Sequence, residues 1–213
     1  MLRISNYKKT YAEHPVLSIP ALQLPGGIYW LKGENGAGKT TLLKSIAGMI
    51  PFEGEIVVDE INLRKSRMPY TKVVSFSEAE PVYPEFLTGR DLLQFYTQTK
   101  GRLSPLGERF KQEAGIDRYL EKKIGAYSSG MLKKLSLLLT LAGEPKWLLL
   151  DEPFVTLDQA AVELLKNTVQ DCHRQGIAVL ISSHQQLNLS IPVVEIEIRN
   201  QTIEHNFDAA ITA

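Results

Sequence analysis

The sequence predicts an α/β fold built on a parallel core sheet, and three observations carry that prediction. An apolar run, Ile28-Tyr29-Trp30-Leu31, leads into a glycine-rich loop and then a stretch with helical spacing. Two later apolar runs, Trp147–Leu150 and Ile177–Ile181, are separated by an amphipathic stretch from Gln159 to about Arg174. Between these regions, residues 86–126 carry helical spacing and few strand signals. Strands alternating with helices imply parallel pairing, because a parallel crossover needs an element long enough to return the chain.

Taken in order, short strands are expected at Leu2–Ile4, Val16–Ile19, Ala21–Leu24 and Ile28–Leu31, each bounded by polar turns. Leu42, Leu43, Ile46 and Ala47 recur at helical spacing through about Met49. Pro51 and Gly54 mark turns before a strand at Glu55–Val58, and Val73–Phe76 reads as another. Three helices are expected next: one begun near Asp91, one holding Phe110 and Ala114 and ended by Gly115, and a short one through Tyr119, Leu120 and Ile124. Leu132, Leu135, Leu139 and Ala142 then share a helical face. Gly176 is placed as the helix stop after Arg174. Val193–Ile198 and Thr202-Ile203 suggest a hairpin, with the last several residues expected to fray. The chain reads as one domain, 1–213, with a core from 1–85 and 131–213 and a helical subdomain at 86–130.

The loop Gly33-Glu34-Asn35-Gly36-Ala37-Gly38-Lys39-Thr40-Thr41 matches G-x-x-x-x-G-K-[ST]. Its setting, strand before and helix after, is the one that pattern requires. Successive backbone N–H groups and the positive helix end would face an anion. Lys39 would reach the β- and γ-phosphates, and the Thr40 hydroxyl would ligate Mg²⁺. Further on, Leu148-Leu149-Leu150-Asp151-Glu152-Pro153 is an apolar strand ending in two acids, the Walker B arrangement. Asp151 is expected to hold Mg²⁺ opposite Thr40, and Glu152 to orient or deprotonate an attacking water.

Composition narrows the partners. The 213 residues carry 24 basic and 24 acidic side chains, so no nucleic-acid or strongly anionic-membrane surface is implied. Cys172 is the only cysteine, which excludes an intrachain disulfide; it falls on an apolar stripe with Val162, Leu165 and Val169 and reads as core filler. The opening residues lack a secretory pattern. No run approaches ~18 apolar residues. A cytoplasmic protein is expected, with any membrane-spanning part supplied by another chain.

These motifs and their order resemble the nucleotide-binding subunits of ATP-binding-cassette (ABC) transporters, over roughly residues 2–204. Tyr127-Ser128-Ser129-Gly130-Met131 matches the signature loop, usually Leu-Ser-Gly-Gly-Gln, keeping Ser128 and Gly130. Thr156-Leu157-Asp158 resembles the D-loop, with Thr156 atypical, and Ser182-Ser183-His184 resembles the switch-histidine segment. Tyr11 stands where the family places an aromatic that stacks on adenine. The resemblance implies an ABC-type P-loop ATPase with an antiparallel β lobe. ATP and Mg²⁺ would lie in a composite site: Gly33–Thr41, Asp151, Glu152 and His184 from one protomer, Ser128 and Gly130 from the other. A homodimer or heterodimer of cassettes would close across ATP, on the cytoplasmic face of a separate transmembrane permease docked through the helical subdomain. The Tyr-Ser-x-Gly-Met signature is similar to forms found in exporters. The alternatives are a soluble non-transport ABC ATPase or a regulatory ATP-binding cassette. The first would bring long coiled-coil insertions or a second cassette, absent here; the second would sit poorly with intact Lys39, Asp151, Glu152 and His184.

One departure concerns the glutamine that the family carries after the strand at Val73–Phe76. Here the loop is Ser77-Glu78-Ala79-Glu80-Pro81, and either Ala79 or Glu78 takes the position.

Overall fold

The computed structural model describes residues 1–205; the expected fraying of the chain end lies outside them. Strands β1 (Leu2–Tyr11), β2 (His14–Leu24), β4 (Glu53–Val58) and β5 (Ile61–Asn62) form an antiparallel sheet in the order β2-β1-β4-β5. The second sheet holds β3 (Ile28–Lys32), β6 (Val74–Ser77), β7 (Trp147–Asp151), β8 (Ala178–Ser182), β9 (Val194–Arg199) and β10 (Thr202–His205). Its order is β10-β9-β3-β8-β7-β6, parallel except for the β9–β10 hairpin.

Every residue of β7 and β8 is buried. Both faces of this sheet are covered, which is why its strands read as continuous apolar runs rather than alternating ones. The pleat still divides them. Tyr29 and Leu31 face a core shared with the antiparallel sheet and helix α1 (Lys39–Ile46). Ile28 and Trp30 face the opposite core, shared with α5 (Ser129–Thr140) and α6 (Gln159–Arg174). The β7–β8 register sets Asp151 beside Ser182, at the carboxyl end of the sheet.

Most expected elements are present, with four differences of physical interest. The two strands read at 16–19 and 21–24 are one strand, β2; Pro20 is accommodated because β2 is an edge strand, where a missing N–H leaves no ladder bond unmade. The first strand extends to Tyr11 through polar residues, since its partners β2 and β4 supply the pairing. Residues 67–73 form a helix, α2 (Arg67–Val73), that had no apolar periodicity to announce it; its anchor is buried Tyr70, whose hydroxyl donates to the Ile46 carbonyl at 2.8 Å.

The helical stretch contains α3 (Gly89–Lys100) and α4 (Pro105–Glu113) as expected. The third helix, read through Tyr119–Ile124, is instead two single 3₁₀ turns at Ile116–Arg118 and Ile124–Ala126. The segment's backbone is used elsewhere. Ile124 N–H donates to the Leu87 carbonyl, Gly125 N–H to Glu85, and the Leu120 carbonyl accepts from Arg90. Those long-range bonds displace the i→i−4 ladder a helix would need. Among the described residues no helix is long and apolar enough to cross a membrane.

Candidate active site

Helix α1 begins without help from a side chain. Its N-cap is Gly38 at φ +106°, a conformation that favours glycine, with no side-chain cap bond and no acid in the first turn. The N–H groups and positive end of the helix are therefore left for an anion. Glu34, Asn35 and Gly36 are exposed, and Gly33, Ala37 and Thr41 half-buried. Lys39 is buried at 8% exposure, and its ammonium donates to the carbonyls of Gly33 (2.7 Å) and Glu34 (3.0 Å), closing the loop on itself.

The decisive contact spans 111 residues: the Thr40 hydroxyl donates to Asp151 Oδ2 at 2.7 Å. Asp151 is buried at 1% exposure. One hydroxyl and one carboxylate, set at the head of α1, are a donor set that suits a hard cation which keeps phosphate and water ligands besides. Among the described residues there is no cluster of three or more His, Cys, Asp or Glu that would hold a metal unaided.

Glu152 follows at φ +41°, in the left-handed region. Its Oε1 lies 3.3 Å from His184 Nε2, at ion-pair distance but without hydrogen-bond geometry. Oε1 thus counts as a buried oxygen with no hydrogen-bond partner among the described residues, which is where a water would be held. The His184 side chain is 50% exposed. Its loop is anchored by the Trp30 indole, which donates to the Ser183 carbonyl at 2.8 Å. Lys39, Thr40, Asp151, Glu152 and His184, expected together from the sequence, converge at the carboxyl edge of the parallel sheet, the usual ligand edge of such folds.

Ser128, Gly130 and Tyr11 are not joined to this group. Ser128 is exposed and caps α5, its Oγ accepting from the Met131 N–H at 3.3 Å. A Cβ on Gly130 would stand 2.9 Å from the Thr156 carbonyl, and Thr156 itself sits at φ +68°. The signature glycine therefore has a structural use inside this chain: the D-loop backbone occupies the space a side chain would fill. Asp158 caps α6 through the Ala161 N–H (2.8 Å) and pairs with Lys134 (2.8 Å). Tyr11, 48% exposed at the end of β1, has the Lys9 ammonium 4.4 Å from its ring centroid, and no hydrogen bond ties it to the glycine loop.

The loop after β6 shows how the missing glutamine is handled. The Glu78 carboxylate pairs with Lys44 of α1 at 2.7 Å, so it is engaged away from Asp151. Ala79 contributes only its carbonyl. That carbonyl (3.0 Å), together with those of Glu78 (2.7 Å) and Asp151 (3.1 Å), accepts from the ammonium of Lys133, a fully buried residue of α5. Burial pushes the Lys133 pKa down to about 8, against the pull of Asp151, Glu152 and Glu80. Sequence reading passed over Lys133, because a lysine five residues after Ser128 carries no sign that it turns inward. It also treated Ser182 only as a neighbour of His184, although Ser182 contacts both acids.

This fold and site define a P-loop nucleotide-binding protein. A family model described as "ABC transporter" matches residues 22–155, and one described as "AAA domain, putative AbiEii toxin, Type IV TA system" matches 121–190. The chain is 34% identical over 195 residues to the cytochrome c biogenesis ATP-binding export protein CcmA of Legionella pneumophila, covering 89% of this chain and 96% of that protein. A solved structure of an ATP-binding subunit of an ABC transporter superposes with a TM-score of 0.86 at 23% identity, over 98% of this chain and 91% of that one. The dimeric structure of MJ0796, a bacterial ABC transporter cassette, superposes at 0.81 with 21% identity, over 96% and 97%. The chain belongs to the ABC transporter family, as an ATP-binding subunit with ATPase activity.

Proposed function

We propose that this subunit hydrolyses ATP in a composite site formed by two cassettes and thereby drives a separate transmembrane partner, in the direction of export. The Thr40–Asp151 contact at the uncapped head of α1 is the observation that carries the reading. The backbone N–H groups of the exposed residues 34–36, those at the head of α1 and the Lys39 ammonium would grip the phosphates, Lys39 exchanging its two loop carbonyls for them. Thr40 and Asp151 would hold Mg²⁺, which when bound neutralises charge on the transferring phosphoryl group. Glu152 takes the proton of the attacking water, and His184 holds that water's far side and the γ-phosphate. Tyr11 offers its ring to adenine on the face that Lys9 leaves free.

Ser128 and Gly130 serve the nucleotide of the other protomer. Support for this comes from the exposure of Ser128 at a helix N-terminus and its separation from its own glycine loop. The export direction draws on the name of the CcmA relative and on the signature form Tyr127-Ser128-Ser129-Gly130-Met131. The helical subdomain, residues 86–130, supplies the docking face. Phe86 and Phe95 there are exposed, and exposed Met49 and Val82 line a cleft with Tyr96 and Lys100 of α3; such apolar side chains suit a membrane-protein partner.

Glu152→Gln tests the reading. ATP binding is expected to persist while turnover falls by ~10²–10⁴, and an ATP-bound dimer is expected to accumulate in light scattering. Wild-type turnover in that variant would remove Glu152 from its role. Absence of any ATP-dependent dimer in hydrolysis-dead variants would overturn the composite site.

A further inference from the structure

Ser182 ends β8, a strand whose other residues, Ala178, Val179, Leu180 and Ile181, are apolar and buried. Its own exposure is zero. A hydroxyl in that place is costly unless it is bonded, and an alanine would pack without the cost. Both of its bonds go to the acids of the neighbouring strand end. Ser182 Oγ donates to Asp151 Oδ1 at 2.5 Å, and it accepts from the Glu152 N–H at 3.0 Å. The directions are unambiguous, because an ionised carboxylate only accepts and an N–H only donates. The Ser182 carbonyl also accepts from the Glu152 N–H, at 3.1 Å.

Two consequences follow. With Oδ1 held by Ser182, the Asp151 carboxylate presents Oδ2 to Thr40 and has little freedom to rotate away. With its N–H gripped by Ser182 Oγ and carbonyl together, Glu152 is held at φ +41°, a backbone setting that a non-glycine residue keeps only when its surroundings impose it.

We propose that Ser182 is a positioning residue that sets both acids at once: its hydroxyl orients Asp151 toward the metal and locks the backbone that aims Glu152. The inference rests on the reading of Thr40 and Asp151 as the Mg²⁺ holders. Hydrogen-bonding partners behind a metal ligand change metal affinity or activity by about 10–100-fold when removed.

The test measures binding rather than turnover. Calorimetry gives the affinity of the protein for a non-hydrolysable ATP analogue in Mg²⁺ and in EDTA; their ratio is the metal-dependent gain. Ser182→Ala is expected to shrink that gain by about 10-fold or more, leaving the EDTA affinity at the wild-type value. Ser182→Cys, close in volume but a weak donor, is expected to do the same and serves if the alanine variant does not fold. A wild-type gain in either folded variant overturns the inference, and so does an equal loss with and without Mg²⁺, which would mark a purely structural residue. Asp151→Asn run alongside separates the two levels. If it abolishes the gain while Ser182→Ala leaves it intact, only the role of Ser182 fails; if Asp151→Asn also leaves it intact, the metal reading itself fails.

Discussion

Replacing Lys133 with methionine keeps a buried unbranched side chain, one heavy atom shorter, but removes its three bonds to the carbonyls of Glu78, Ala79 and Asp151. The sign of the effect needs argument, because the ammonium is itself expensive to bury: its pKa is pushed down to about 8. Each bond from a charged donor contributes about 1.5–3 kcal/mol, and methionine recovers the several kcal/mol that desolvating the charge costs. The acceptors decide the balance. They are backbone carbonyls, which the substitution cannot take away, so it leaves three polar atoms short of a donor, that of Asp151 buried and those of Glu78 and Ala79 partly so. Removing one partner of a buried charged set costs about 3–5 kcal/mol, and carbonyls with a second lone pair tolerate the loss somewhat better than a charge would. A net destabilisation of about 2–4 kcal/mol is expected. For a chain of this size each kcal/mol moves the melting temperature by about 2–4 °C, so calorimetry of the nucleotide-free protein at pH 7 should show a fall of roughly 5–15 °C. An unchanged or higher melting temperature would refute the reasoning, because it would mean that relief of desolvation outweighs the orphaned carbonyls.

Three other outcomes are expected. Lys39→Ala should lose roughly 10- to 150-fold in ATP affinity, since a charge-assisted contact worth about 1.5–3 kcal/mol disappears; an isothermal titration with wild-type affinity in a folded variant would contradict the phosphate-loop assignment. Glu78→Ala should change ATP turnover little, because the Glu78 carboxylate is spent on Lys44, whereas Ala79→Gln should raise basal phosphate release by restoring a side chain that reaches the nucleotide; loss of Mg²⁺-dependent turnover in Glu78→Ala would reverse that assignment. The Cys172 thiol is pushed up to about 12 by burial. The folded chain holds that proton while the unfolded chain releases it near pH 8.5–9, so this group's share of stability is intact below about pH 8 and is lost as pH rises from there toward 12. Denaturation midpoints at pH 8 and pH 10 should therefore fall less steeply in Cys172→Ala than in wild type, and parallel pH dependences would rule that contribution out.

How much of the fold is legible in the residues depends on the range of each interaction. The glycine loop, its flanking strand and α1 were legible because all their signals are local: glycines where the backbone turns into the left-handed region, an apolar run before, helical spacing after. Helix α6, Gln159 to Arg174, is legible for the same reason, with Gly176 just beyond its end at φ +79°; that Asp158 caps its start is seen only in the structure. The buried runs Trp147–Leu150 and Ile177–Ile181 announced central strands through composition alone. Local pattern was weaker where a segment's backbone is bonded at long range, as in the 3₁₀ turns around Tyr119-Leu120, or where one buried tyrosine anchors an otherwise polar helix, as in α2.

What the sequence by itself determined was the set of chemical groups: a phosphate-binding turn, a cationic Lys39, a hydroxyl at Thr40, acids at 151 and 152 and an imidazole at 184. Only the tertiary structure decided how they meet. The strand order β10-β9-β3-β8-β7-β6 places β7 and β8 side by side, and that register puts Asp151 against Ser182 and within reach of Thr40. The inward turn of Lys133, the pairing of Glu78 with Lys44 and the fit of Gly130 against the Thr156 carbonyl belong to the same class. Each joins residues distant in the chain, and none leaves a periodicity in the sequence, because a side chain's partner across a sheet or between helices is chosen by packing geometry rather than by its neighbours along the chain.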